Sequence, residues 1–168
     1  MKGTKLDLKR AAIEGDTYRA NEEYTDKVEC VPMALGALIV MFVEDEHDGP
    51  EKLEEHINWR IQDAANSTDK ITRGSQTAWI AAEERILQLY NWWTKTRPEL
   101  MKREKDLLHQ WADSKCIGDR DFLDSLNAPD TPDTQRLFEA HSDLKDRIRA
   151  EMQEFCHGVV EVREYMWT

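Results

Sequence analysis

Cysteine is scarce in this chain: Cys30, Cys116 and Cys156 are odd in number, far apart and never in a Cys-x-x-Cys spacing. That argues against a disulfide scaffold or a structural zinc motif and makes a reducing cytoplasm the natural compartment. The seven glycines are dispersed, so no phosphate-cradling loop can be read. Long apolar runs are missing too. The strongest, VPMALGALIVMFV at 31–43, is too short to span a bilayer, and MKGTKLDLKRAAIEGD at the start lacks the apolar core of a signal peptide. These features predict a soluble protein with no membrane partner.

Positive charge is also in short supply, with 23 Lys and Arg against 34 Asp and Glu, a net charge of −11 and a pI near 4.9. A nucleic-acid surface needs clustered cations to displace the counterions of the phosphate backbone, and here the basic residues are interleaved with acids, as in DLKDRIRAEMQE. The balance argues against nucleic-acid binding. Mimicry of nucleic acid would call for longer acidic runs than EDEHD at 44–48.

What is present is enough to fold. Hydrophobic residues make up 40% of 168 positions, sufficient for a real core despite 34% charge, and six tryptophans point to aromatic-rich packing. The length fits a single helical domain over 1–168, with residues 1–28 as a loosely packed N-terminal segment. Helical periodicity dominates, and the expected fold is an all-α multi-helix bundle with a long C-terminal helix.

Pro32 suits the first turn of an apolar helix running to about Glu46, packed on all sides or completed by another subunit, with a buried strand at 37–43 as the alternative. After the Asp48-Gly49-Pro50 break, Leu53, Ile57, Ile61 and Ala64 form one face of a second helix. Asn66 to Asp69 reads as a turn or cap. Trp79, Ala82, Ile86, Tyr90 and Trp93 then define the inner stripe of a third helix, with Glu83, Glu84 and Gln88 opposite. From Pro132 the stripe Leu137, His141, Leu144, Ile148, Met152, Phe155, Val159, Val162 and Met166 extends roughly 50 Å at 1.5 Å per residue, with Gly158 as a weak point. Such a stripe needs a long antiparallel helix or a second copy to cover it, which favours a homo-oligomer.

The segment LYNWWTKTRP at 89–98 is the most unusual local feature. Thr96-x-x-Glu99 with Pro98 has the spacing of a capping box, predicting a break after the tryptophans and a new helix bearing Leu100, Leu107, Leu108 and Trp111. Trp93 continues the core stripe, whereas Trp92 lies about 100° round the helix and needs other cover. Gly118 ends that new helix, and CIGDRDFLDSLNAPDTPD connects it to the last one.

Catalytic patterns are weak. Glu44-x-x-His47, Glu154-x-x-His157 and the variant Asp106-x-x-His109 have di-iron ligand spacing, but an acid-rich chain produces such spacings by chance and they read as surface side chains. The Glu-Glu-x-x-Glu magnesium motif of helical nucleotide pyrophosphohydrolases is not completed after Glu22-Glu23 or Glu54-Glu55. Cys156 and His157 are adjacent on a helix and point apart, so they are not a nucleophile and base. His141 reads as a satisfied core histidine. No catalytic residue, cofactor or metal is expected.

Tyr90, Trp92, Trp93 and Arg97, with Arg163 and Trp167 near the other end, are residue types that recur in binding hot spots and can stack a base or pair a phosphate. The plainer reading is that they lock a helix corner, which can also rim a pocket. Leu89, Tyr90, Trp92, Trp93, Arg97 and Pro98, the terminal Arg163, Met166, Trp167 and Thr168, and PMALGALIVMFVEDE resemble segments of a group of small helical proteins of tailed bacteriophages. The resemblance spans three segments and carries no activity with it. It implies a phage-encoded accessory protein, acting in the host cytoplasm by binding or blocking a host protein. A sponge for a small nucleotide defence signal held between subunits, a virion component and a metal-dependent nucleotide hydrolase are the alternatives.

Overall fold

The computed structural model describes the backbone of residues 27–115 and 130–166, and their side chains from Val31 onward. The expectations for residues 1–26, the side chain of Cys30, Cys116, Gly118, most of the 116–131 connection, Trp167 and Thr168 lie outside these residues. Every described element is helical, with no strand among the described residues, so the fold is all-α. In chain order the elements are α1 (Lys27–Met41), a π turn (Phe42–Glu46), α2 (Pro50–Asn66), α3 (Lys70–Asn91), a second π turn (Trp92–Thr96), α4 (Arg97–Lys115), α5 (Pro132–Val162) and a closing 3-10 turn (Arg163–Tyr165).

The run at 37–43 is thus helical, not a strand. α1 begins earlier than Pro32 suggests, and the proline stands in its second turn, where its missing N–H forgoes a single backbone bond. Ala37, Ile39, Phe42 and Val43 are buried, but Met33, Leu35, Leu38 and Val40 are half-buried and Val31 is exposed. The helix is therefore not enclosed on all sides within the described chain.

Local signals set most boundaries. Asp69 caps α3 by accepting from the Ile71 and Thr72 amides at 3.3 and 2.8 Å. Thr131 does the same for α5, accepting from the Thr134 amide at 3.2 Å with Pro132 at the first helical position. Pro98 does not break the chain. The backbone stays helical from Lys70 to Lys115, because the π turn just before Pro98 inserts an extra residue where a backbone bond would be lost. Thr94 supports this widened turn by donating its hydroxyl to the Tyr90 carbonyl at 2.7 Å.

The chain groups into two compact units, one comprising residues up to Thr94 with those from Glu154 onward, the other Lys95–Gln153. In the first, α2 and α3 form a hairpin whose core includes Leu53, Ile57, Ile86 and Trp93, joined by Phe155, Val159 and Val162 from the end of α5. Gly158 is there for close approach: a Cβ would stand 2.9 Å from Leu89 Cδ2 and 3.0 Å from Arg85 Nη2. In the second unit, Leu100 packs with Leu144 and Ile148, flanked by Met101 and Leu107. His141 bonds Glu104 at 2.7 Å, Trp111 meets Phe138 at 5.8 Å, and the buried Thr134 sits among Ser114 and Thr131 hydroxyls.

Candidate functional site

The tryptophan pair lies where the second π turn meets α1 and the end of α5. Trp93 is completely buried, its ring 5.0 Å from that of Phe155, while the half-buried Trp92 covers the same phenyl ring at 5.1 Å. That stack is the cover Trp92 required. Tyr90, one turn earlier, donates its hydroxyl to Glu44 in the first π turn. Burial first, and the Glu44 carboxylate second, push the tyrosine hydroxyl well above its ordinary pKa.

Tyr90, Trp92 and Trp93 are thus brought together with Glu44 and Phe155. Arg97 is half-buried in the second unit, Arg163 is exposed in the closing 3-10 turn, and Trp167 lies outside the described residues. The aromatic part of the expected set, Tyr90, Trp92 and Trp93, forms packed structure here.

A second cluster, which the sequence did not single out, spans α2 and α3. Glu83 was expected on the outer face of α3, yet its side chain is only 3% exposed. Arg60 explains the burial: its Nε donates to Glu83 Oε1 at 2.9 Å and its Nη1 to Gln76 Oε1 at 2.9 Å, so the carboxylate enters with a cation beside it. Gln76 passes the connection on, donating to Asp63 at 3.0 Å. The Arg60 guanidinium also lies 5.0 Å from the ring of Trp79, whose other contact is the edge of Tyr165 at 5.0 Å. His56 Nδ1 stands 3.2 Å from Glu83 Oε1, while Glu83 Oε2 is buried with no hydrogen-bond partner.

Beyond His56 the cluster reaches the surface. The His56 ring stacks on Trp59 at 5.7 Å and 9°, and lies 5.6 Å from His47, which takes an edge contact from Phe42 at 4.8 Å. Trp59 is 55% exposed, a high value for the largest apolar side chain. Next to Arg60 and Trp79 is an open groove of ≈ 310 Å³, also lined by Ile71, Thr72, Ser75 and Gln76. Ile71, on its wall, is 83% exposed.

One signal could have found this region. Trp59 falls off the stripe of Leu53, Ile57, Ile61 and Ala64, and a tryptophan on the polar flank of an amphipathic helix has no core to enter. Ile61, expected on the inner face, is itself 44% exposed at the stripe's edge. The burial of Glu83 had no local signal, because its partners come from another helix.

Cys156 is half-buried with its thiol pushed up by burial, and His157 next to it is exposed. Among the described residues no three His, Cys, Asp or Glu side chains converge as a metal site, and no helix is long and apolar enough to cross a membrane. No protein-family model, no curated protein and no solved structure matches the chain.

Proposed function

We propose that this is a bacteriophage accessory protein that works in the host cytoplasm by binding and blocking a host protein, without catalysis. The observation that carries the reading is the exposure of Trp59, stacked against His56, on a helix hairpin that also exposes Ile71. Large apolar side chains left in water are what a partner's pocket buries. Exposed Glu51, Glu54 and Glu55 share α2 with Trp59, and the chain carries −11 overall. The partner that fits is a protein with an apolar pocket and a basic rim. The phage origin is supported by the three segments that resemble phage proteins.

A second reading is favoured by the groove itself. Arg60 beside Trp79, with the Ser75 hydroxyl, has the residue types that stack a base and hold a phosphate, which suits a small nucleotide signal.

Native mass spectrometry of the protein purified gently from phage-infected cells separates the two. A host polypeptide bound to the wild type and lost from a Trp59→Ala, Ile71→Ser variant supports the first reading. A small adduct of nucleotide mass supports the second. A bare protein, whatever its subunit count, counts against both.

A further inference from the structure

The turn that leads into α2 is built on two left-handed residues, Asp48 at φ 55° and Gly49 at φ 108°. Gly49 N–H donates back to the Val43 carbonyl at 2.9 Å, closing the turn, and its own carbonyl accepts from Leu53 at 3.2 Å. His47, immediately before these residues, meets Phe42 of the preceding π turn on one side and, on the other, the His56 ring of α2, and this second contact links the turn to the hairpin.

We propose that His47 and His56 form a proton-operated latch: neutral, they hold the 47–49 turn against α2 and α3, and protonation of both releases it.

The charges around the pair give the reason. From α2 come His56 and Arg60, from α3 Glu83, and from the π turn Glu46, all of which act on His47. Arg60 already occupies Glu83 Oε1. The His56 ring faces the same carboxylate, its Nδ1 3.2 Å from Glu83 Oε1. With His56 protonated, a second proton on His47 places a third cation around one buried carboxylate, with only the exposed Glu46 to help, in a half-buried position that disfavours charge. Two imidazolium rings at this separation repel, and the softest element they can move is the turn that carries His47. Asp48 and Gly49 supply the hinge, since a left-handed non-glycine residue is strained and gains by leaving.

The test is amide exchange on the full chain, followed at Gly49 N–H, with histidine ring titration by NMR. Protection at Gly49, corrected for intrinsic exchange, should fall by about ten-fold or more between about pH 7.5 and 5.5, one pKa unit of coupling corresponding to ten-fold. His47→Gln should abolish that fall. His56→Gln should abolish it too and move the His47 ring titration upward, because a neighbouring cation has been removed. Constant protection in the wild type would overturn the proposal. So would an acid-induced fall that persists in either variant, or a His47 midpoint unmoved by His56→Gln. Should His47→Gln lose its far-UV helix signal, the wild type and His56→Gln still decide it through exchange and ring coupling.

Discussion

Trp93 lies so close to Gly36 that a Cβ at that glycine would stand 2.1 Å from Cε2 of the indole. The contact fixes α1 to the end of α3, because the ring occupies the space a side chain would need, and it gives the apolar helix one defined seat. An overlap of this size with ring carbons cannot be relieved by swinging a flexible tip. Gly36→Ala should therefore destabilise the protein by about 3 kcal/mol, the upper part of the range for overpacking a core. Gly74 offers the contrast, as nothing lies within 4 Å of the Cβ it would gain in the exposed face of α3. Gly74→Ala should stabilise by about 0.5–1 kcal/mol through helix propensity alone. Urea unfolding followed by circular dichroism measures both, and the two glycines should move in opposite directions.

The adjacent tryptophans should differ in cost. Trp93 is fully buried, and Trp93→Ala should lose about 3–5 kcal/mol. Trp92 is half-buried, so Trp92→Ala should lose clearly less. Because Trp93 and Gly36 share one space, the Gly36→Ala, Trp93→Ala double variant should cost less than the sum of the single changes. Additive costs would show that the ring and the glycine do not meet in solution.

Arg60 and Glu83 make a cross-helix pair that is buried mainly on the acid side, at 17% and 3% side-chain exposure. Arg60→Met strands a buried carboxylate and should cost about 3–5 kcal/mol, whereas Glu83→Gln keeps an acceptor for Arg60 and leaves only the more exposed guanidinium without a counter-charge, so it should cost less. Thermal or urea unfolding of the two variants reads the difference. Equal costs would mean that Glu83 is hydrated.

Stability should depend on pH through His47. Burial first, then the charge of His56, hold its folded pKa below the ordinary 6.5. The unfolded chain therefore takes up the proton first as pH falls, so stability is complete above pH 6.5 and declines as pH drops toward the folded pKa. His47→Gln should flatten that part of the stability profile. A profile that still falls by the same amount would assign the effect to other groups.

Trp59→Ala should leave stability within about 0.5 kcal/mol of the wild type, as expected for a surface substitution. On the proposed reading it should nonetheless remove partner binding. A large loss of stability would return Trp59 to a structural role.

Much of the helical pattern could be read along the chain, since caps and stripes depend on residues within four positions of each other. Asp69 caps within the turn read at Asn66 to Asp69, and Leu144, Ile148, Phe155, Val159 and Val162 are buried on the stripe their spacing defines. Pro98 misled because a local stop signal competes with the stability gained by continuing a packed helix, and a π turn absorbs the missing donor. Among the candidate residues, the burial of Trp93 was legible from its place on the core stripe, whereas the stack of Trp92 on Phe155 joins residues far apart in the chain and was not.

The sequence by itself determined that the chain is helical, where α3 is capped and which side of α5 turns inward, because those follow from side-chain period and backbone chemistry. Only the tertiary structure decided that Glu83 goes inside with Arg60, that His56 meets both His47 and Trp59, and that Gly36 receives Trp93. Each of those pairings joins residues on different elements. The register at which two helices meet is set by the packing of the whole unit, so no short stretch of the chain encodes it.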